Sequence, residues 1–198
     1  VDASTAITIR GVNFGATGAV KPTLHFAGTV ASTVSITGVT VTQPAAKAGI
    51  HFEGAVTAAI SIADSTVTAG HSAVWFDNLQ AQVTFANVVS TSTATGQGLY
   101  FLSITAATLI SIVGGSFTGV DRGIYFPIID ASTAITISGA TVLATGAVYP
   151  TLHFAGTVAS PVSITGVTVT QPAAKAGIYF QGATTAAVSI ADSTVTAG

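Results

Sequence analysis

The stretch VSITGVTVTQPAAKAGIHF, residues 34–52, contains each part of a pattern that runs through the whole chain. It opens with apolar residues that alternate with Ser and Thr, passes through Gly38 into a second alternating run, and ends on Ile50-His51-Phe52. Alternation with a period of two is typical of a β-strand with one buried face. The stretch therefore predicts three short strands, with a tight bend at Gly38 and a longer loop over residues 43–48.

The bend position recurs eight times along the chain and is always Gly, Asp or Asn. These residue types tolerate the left-handed backbone conformation that a tight bend between two strands requires. We call these positions the turn column: Gly11, Gly38, Asp64, Asn87, Gly114, Gly139, Gly166 and Asp192. Their spacing predicts one such bend in each of eight rungs, where a rung is one set of three strands.

A longer repeat contains the rungs. Residues 2–70 recur as residues 130–198, an offset of 128, with 58 of 69 positions identical. Five rungs fill one 128-residue unit. Regular repetition of this kind is typical of solenoids, in which each repeat stacks on the next. We therefore predict that residues 1–198 form a single continuous solenoid.

The third strand of each rung has an aliphatic residue, a ring residue and a Phe in that order. Alternation directs the Phe inward and the middle residue outward. The predicted inner Phe column is Phe26, Phe52, Phe76, Phe101, Phe126, Phe154 and Phe180. The predicted outer ring column is His25, His51, Trp75, Tyr100, Tyr125, His153 and Tyr179. Neighbouring strands lie about 4.8 Å apart, which is close enough for the rings to stack.

Together these columns predict an all-β fold, a right-handed parallel β-helix with three short strands per rung, about eight rungs and no helical caps. Each strand pairs with its equivalents in the rungs above and below, which satisfies the backbone hydrogen bonds. The right-handed coil follows from the bias of parallel crossover connections.

Composition argues against several classes of partner. The chain has five Lys+Arg and seven Asp+Glu, 6% of residues, and a net charge of −2. Without a basic cluster, we expect no binding to nucleic acid or to an anionic membrane surface. The absence of Cys excludes disulfides and thiolate metal sites. No apolar run approaches the roughly 18 residues of a membrane helix, so we expect no membrane insertion.

The outer ring column is the first candidate binding surface. Exposed rings would stack on sugars or form a lateral contact with another filament. In the alternative interpretation, the rings shield a sheet face or lie beneath a loop. Of the three histidines only His25 and His51 lie on adjacent rungs, and no carboxylate column accompanies them, so we predict no metal site.

A second candidate surface consists of Thr-x-Thr pairs expected to face outward on the second strand of four rungs. They lie at residues 40 and 42, 66 and 68, 168 and 170, and 194 and 196. Regular ranks of Thr on a flat solenoid face resemble those of ice-binding proteins. The other four rungs interrupt the rank, and Thr is also a favourable residue on any exposed strand.

The charged residues do not indicate catalysis. Three of them are replaced by uncharged residues in the second copy: Arg10 by Ser138, Lys21 by Tyr149 and Glu53 by Gln181. Acid–base and cation-binding positions would not lose their charge in this way. Asp121 and Arg122 are expected to be a solvated pair. We therefore predict that the protein is not an enzyme and has no catalytic residues, metal or cofactor.

The strand–turn–strand pattern and the Gly, Asn or Asp bend resemble the pectin-lyase-like parallel β-helix superfamily over all 198 residues. The resemblance implies the fold. Pectate lyases of that superfamily hold Ca²⁺ with clustered Asp and Glu beside a basic residue, and their hydrolase relatives use several Asp on neighbouring rungs. This chain matches neither set. In its low charge and near-identical repeats it also resembles repetitive β-helical surface proteins, namely those of the kinetoplastid dispersed gene family and bacterial β-helical adhesins.

These observations predict a structural, filament-forming protein that is extracellular or at the cell surface. Its continuous sheets and apolar core would make a stiff rod that assembles with itself end to end or laterally, with glycans as further partners. The alternatives are a carbohydrate-binding adhesin and an ice-binding protein.

Overall fold

The computed structural model describes residues 5–18, 20–106, 109–129 and 133–198. Every regular element in these ranges is a β-strand, and the strands form three sheets in which neighbours run parallel. Seven rungs contribute three strands each, and two further strands belong to an eighth rung. The predicted all-β parallel solenoid with three strands per rung is therefore confirmed.

Each sheet takes one strand from each of the first seven rungs, and the first and second sheets take one more from the eighth. The first sheet consists of β1 (Ile7–Arg10), β4 (Val34–Thr37), β7 (Ile60–Ala63), β10 (Val83–Ala86), β13 (Leu109–Val113), β16 (Ala134–Ser138), β19 (Val162–Thr165) and β22 (Val188–Ala191). The second consists of β2 (Asn13–Gly15), β5 (Thr40–Gln43), β8 (Thr66–Ala69), β11 (Val89–Ser92), β14 (Ser116–Gly119), β17 (Thr141–Ala144), β20 (Thr168–Gln171) and β23 (Thr194–Ala197). The third consists of β3 (Leu24–Phe26), β6 (Ile50–Val56), β9 (Val74–Leu79), β12 (Gln97–Phe101), β15 (Arg122–Phe126), β18 (Leu152–Phe154) and β21 (Ile178–Phe180).

Equivalent residues of successive rungs lie directly over one another. Phe26 pairs with Phe52, and Phe52 pairs with Phe76, in the register of the third sheet. The register shifts at one point between β6 and β9, after Phe52 and before Ala55. Because the other strand pairs keep the same register, a residue type that recurs at one position of the rung forms a continuous column in the fold.

The turn column forms the corner between the first and second sheets. All eight of its residues have positive φ, between 48° and 65°. In successive rungs Asn87 Nδ2 donates a hydrogen bond to Asp64 Oδ1 at 3.1 Å. The bend is thus left-handed in every rung, as the confinement to Gly, Asp and Asn predicted.

The inner Phe column is a stack of seven rings. Neighbouring ring centroids are 4.5 to 5.3 Å apart, and neighbouring planes differ by 5° to 14°. Phe85 and Phe117, from the first and second sheets, fill the space beside the stack; Phe85 packs edge-on against both Phe76 and Phe117. The predicted interior Phe ladder is therefore confirmed.

Candidate functional site

The outer ring column lies on the outer face of the third sheet, directly behind the inner Phe column. Its seven rings lie one over another, with neighbouring centroids 4.7 to 5.5 Å apart; three of the six contacts are stacked, and three are tilted by 31° to 44°. Most of them are half-buried, but His153 is only 5% exposed and Tyr179 is 42% exposed. The column is therefore continuous along the described rungs, and its accessibility changes from rung to rung.

Stacking limits what the outer ring column offers to a ligand. Trp75 lies between His51 and Tyr100, and it also stacks on His71. Both faces of Trp75 are therefore flanked by rings, and its polar atom Nε1 is buried as well. Carbohydrate binding by this column stays a prediction.

The loop over residues 43–48 and its equivalent in the second copy, residues 171–176, lie over the outer ring column. Gln43 is fully buried; its Nε2 donates to the carbonyl of Lys21 at 2.8 Å, and its Oε1 accepts from the Ala45 amide at 3.2 Å. Gln171, its equivalent, makes the same two contacts with the carbonyl of Tyr149 and the amide of Ala173. A buried glutamine thus fixes each loop against the preceding rung.

In each copy this loop and the corresponding loop of the preceding rung enclose a groove above the rings. The groove of the first copy has a volume of about 330 Å³, and His25, His51 and Trp75 are among its lining residues. The groove of the second copy, about 380 Å³, is lined by Tyr179 in place of His51. The first groove is lined by two lysines, Lys21 and Lys47, and the second by one, Lys175.

In the first copy the ring edges pair with carboxylates. His25 Nε2 lies 2.7 Å from Glu53 Oε2, and His51 Nε2 lies 3.2 Å from Asp77 Oδ1. Each carboxylate is one rung further along the chain than its histidine. No carboxylate column was predicted, yet these two pairs form because each acid lies on the third-sheet strand of the next rung, two residues after its ring residue.

His71 and Trp75 line this groove, and among the described residues each has one polar atom without a hydrogen-bond partner. His71 Nδ1 and Trp75 Nε1 are buried and have no hydrogen bond within the described part of the chain. Burial lowers the pKa of His71, although the charge of Asp121 opposes the shift. The surroundings of His71 therefore disfavour its charged form.

In the second copy the site is organised by Arg122. Its guanidinium carbon lies 3.9 Å from the ring centroid of Tyr125 and 3.8 Å from that of Tyr149. Its Nε donates to His153 Nδ1 at 3.0 Å, and the other ring nitrogen of His153 lies 3.0 Å from Gln181 Oε1. We call Arg122, Tyr125, Tyr149, His153 and Gln181 the arginine cluster.

The expectation that Asp121 and Arg122 form a solvated pair is wrong. Arg122 is only 8% exposed, because the two tyrosine rings enclose its guanidinium. Asp121 instead accepts a hydrogen bond from the Gly96 amide at 3.1 Å. Sequence reasoning missed the cluster since Tyr149 and His153 come from the next rung; the replacement of Lys21 by Tyr149 between the copies was the available signal.

The arginine cluster fixes the protonation of His153. Because Nδ1 accepts a hydrogen bond from Arg122, the ring proton must lie on Nε2, which then donates to Gln181. Burial lowers the pKa of His153, the positive charge of Arg122 lowers it further, and the Gln181 hydrogen bond opposes them. Burial also lowers the pKa of Arg122, whose guanidinium remains charged at neutral pH.

The second sheet carries the predicted threonine pairs on its outer side. Thr40 lies over Thr66 and Thr42 over Thr68, and the pairs in β20 and β23 stack in the same way. The strands alternate between exposed or half-exposed Thr and buried residues in β5, β8 and β20. We call the outward residues of the second sheet the threonine face.

The first sheet carries an unbroken column of hydroxyls that sequence reasoning did not identify. In each strand the outward residue between the two core apolar residues is Ser or Thr. They are Thr8, Ser35, Ser61, Thr84, Ser111, Thr136, Ser163 and Ser189. The sequence signal that could have predicted this column is the Ser or Thr between the two apolar residues of each first-sheet strand.

Within the described residues, no group of three or more His, Asp or Glu side chains is arranged to hold a metal ion. The same part of the chain contains no helix of the length and apolarity needed to cross a bilayer. No family model, curated protein or solved structure matches the sequence or the fold.

Proposed function

We propose that this chain is part of a structural, filament-forming rod. The observation that carries the proposal is the continuity of all three sheets across the boundary between the two 128-residue copies. The last rung of the first copy pairs with the first rung of the second through β13 with β16, β14 with β17 and β15 with β18. Further copies would extend the same sheets, so rod length would grow in proportion to the number of units.

The interior favours mechanical stiffness. The first seven rungs are hydrogen-bonded to their neighbours through three parallel sheets, and the eighth joins the seventh through the first and second sheets. The inner Phe column adds ring stacking along the same axis. At about 4.8 Å per rung, one five-rung unit is about 24 Å long. A rod of this kind resists bending because any bend must separate strands on one side.

The outer faces favour lateral assembly. Among the described strands of the first and second sheets, Arg10 is the only charged residue, and the outward positions are mostly Ser, Thr and Ala. Flat faces of this composition pack against one another without the cost of burying charge. A location outside the cell is part of the proposal, and it is supported by the likeness in composition and repetition to repetitive surface proteins.

Electron microscopy of the chain over a range of concentrations tests the proposal. We expect fibres that associate side by side. Lysines at two outward positions of the first sheet, Ser61→Lys with Ser111→Lys, should keep the fibres apart, because they bring charge onto the packing face. The matched control places the same two charges on the loops over the third sheet, Ala46→Lys with Ala174→Lys.

Fibres that bundle equally with either pair of lysines would contradict lateral packing through the first sheet. Particles that stay monomeric at every concentration would contradict filament formation altogether.

A second candidate function is ice binding, which the threonine face favours. In the two neighbouring Thr-x-Thr pairs of each copy, the Thr methyls and hydroxyls recur about every 4.8 Å between strands and roughly every 6.5 to 7 Å within a strand, without charge. Each of these two patches would hold ordered water, and the rungs between them interrupt the array. Thermal hysteresis of the unmodified chain is the test; Thr68→Lys should abolish it, and Ser61→Lys on the neighbouring face of the same rung should not. Absence of hysteresis in the unmodified chain removes this candidate.

A further inference from the structure

The arginine cluster is a contact between two repeat units. Arg122 and Tyr125 belong to the last rung of the first 128-residue unit, whereas Tyr149, His153 and Gln181 belong to the second unit. The guanidinium therefore reaches across the boundary, and its surroundings depend on which unit follows.

The residues that surround the guanidinium are matched to its charge. Tyr149 covers one face with a neutral ring, and His153 accepts from Nε as the neutral imidazole. Gln181 accepts the remaining imidazole proton without adding a charge. A cation enclosed between two rings in a buried site is stabilised by their π faces, and a second cation there would be repelled.

The first copy has a different set at the same places. Lys21 stands where Tyr149 does, and Glu53 stands where Gln181 does, while the histidine is retained as His25. There the histidine pairs with Glu53 at 2.7 Å. Two of the differences between the copies therefore lie in one group of neighbouring side chains. Both replace a charged residue of the first copy by a neutral one.

We propose that this boundary is an interaction surface specific for the order of units: a unit that ends in Arg122 accepts a following unit with an aromatic ring at the position of Tyr149. A unit of the first-copy type would place the Lys21 ammonium against the buried guanidinium. The partner that fits the Arg122 side is therefore a repeat unit of the Tyr149 type, and the two kinds of unit are not interchangeable.

Thermal unfolding of four variants of the full chain tests this inference. Tyr149→Lys should lower Tm by about 3 °C or more, since it adds a like charge beside the buried guanidinium of Arg122. Tyr149→Ala removes the ring without adding charge and should lower Tm by less. Arg122→Gln combined with Tyr149→Lys should recover part of the loss, because the repulsion is gone. The matched control is Lys21→Tyr, which should change Tm by less than about 1 °C.

A double variant no more stable than Tyr149→Lys alone would overturn the inference, since the loss would then not come from Arg122. The same conclusion would follow if Tyr149→Lys were as stable as Tyr149→Ala.

Discussion

Asp64, Asn87 and Asp192 adopt φ values of 48°, 52° and 51°, a conformation that L-residues with a Cβ seldom take. Asp and Asn accept it more readily than other residues because their short polar side chains form local hydrogen bonds. Here Asn87 Nδ2 also bonds to Asp64 Oδ1 in the rung below. At the residue scale the fold thus depends on one backbone conformation that is repeated in every rung.

Substitution of Asp64 measures the cost of that conformation. Asp64→Val should reduce the free energy of unfolding by about 1 to 2 kcal/mol, because a β-branched residue is strained at positive φ. Asp64→Gly should cost about 0.5 kcal/mol or less, since glycine takes this φ freely and only the Asn87 hydrogen bond is lost. Urea unfolding compares the two. Equal losses would show that the side-chain contact, and not the backbone, decides the preference at this corner.

The two histidines with shifted pKa values predict a pH dependence. Burial lowers the pKa of both His71 and His153, so the folded chain binds protons less readily than the unfolded chain. Their contribution to stability is complete above the ordinary histidine pKa of about 6.5 and is lost as the pH falls below it. We expect a lower Tm at pH 5 than at pH 7.5, and a smaller difference in the variant His153→Gln. An unchanged difference would mean that His153 does not contribute.

At the element scale, alternation predicts which face of a strand a residue occupies, and this prediction was correct for the inner Phe column. Alternation does not predict what covers the outer face. The burial of Arg122 depends on Tyr149, 27 residues further along the chain, and on a loop held in place by Gln171. Sequence reasoning therefore placed the outer ring column on the correct strands but did not find its partners.

Position within the Phe stack should determine the cost of removing a ring. Phe101 is fully buried, stacks on a ring on each side and meets Phe85 edge-on. Phe101→Ala should therefore lower the free energy of unfolding by about 3 to 5 kcal/mol. Phe180 stacks on Phe154 and is only half-buried, so Phe180→Ala should cost less than half as much. Similar losses measured by urea unfolding would contradict the stack as the main source of core stability.

At the scale of the whole molecule, contacts run from each rung to the next, so stability should be close to a sum over neighbouring rungs. The long repeat made this architecture predictable, because columns such as Gly11, Gly38 and Asp64 can be recognised from the sequence alone. The grooves, the arginine cluster and the hydroxyl column were not predicted, because they depend on how loops and side chains of neighbouring rungs meet. The central claim is that residues five rungs apart lie over one another on one straight axis.

Small-angle X-ray scattering of the chain, compared with a chain into which one more copy of the 128-residue unit has been inserted, tests that claim directly. We expect the longest dimension to increase by about 24 Å, five rungs at about 4.8 Å, while the radius of the cross-section stays the same. An insertion that widened the particle, or that left its length unchanged, would contradict a continuous rod.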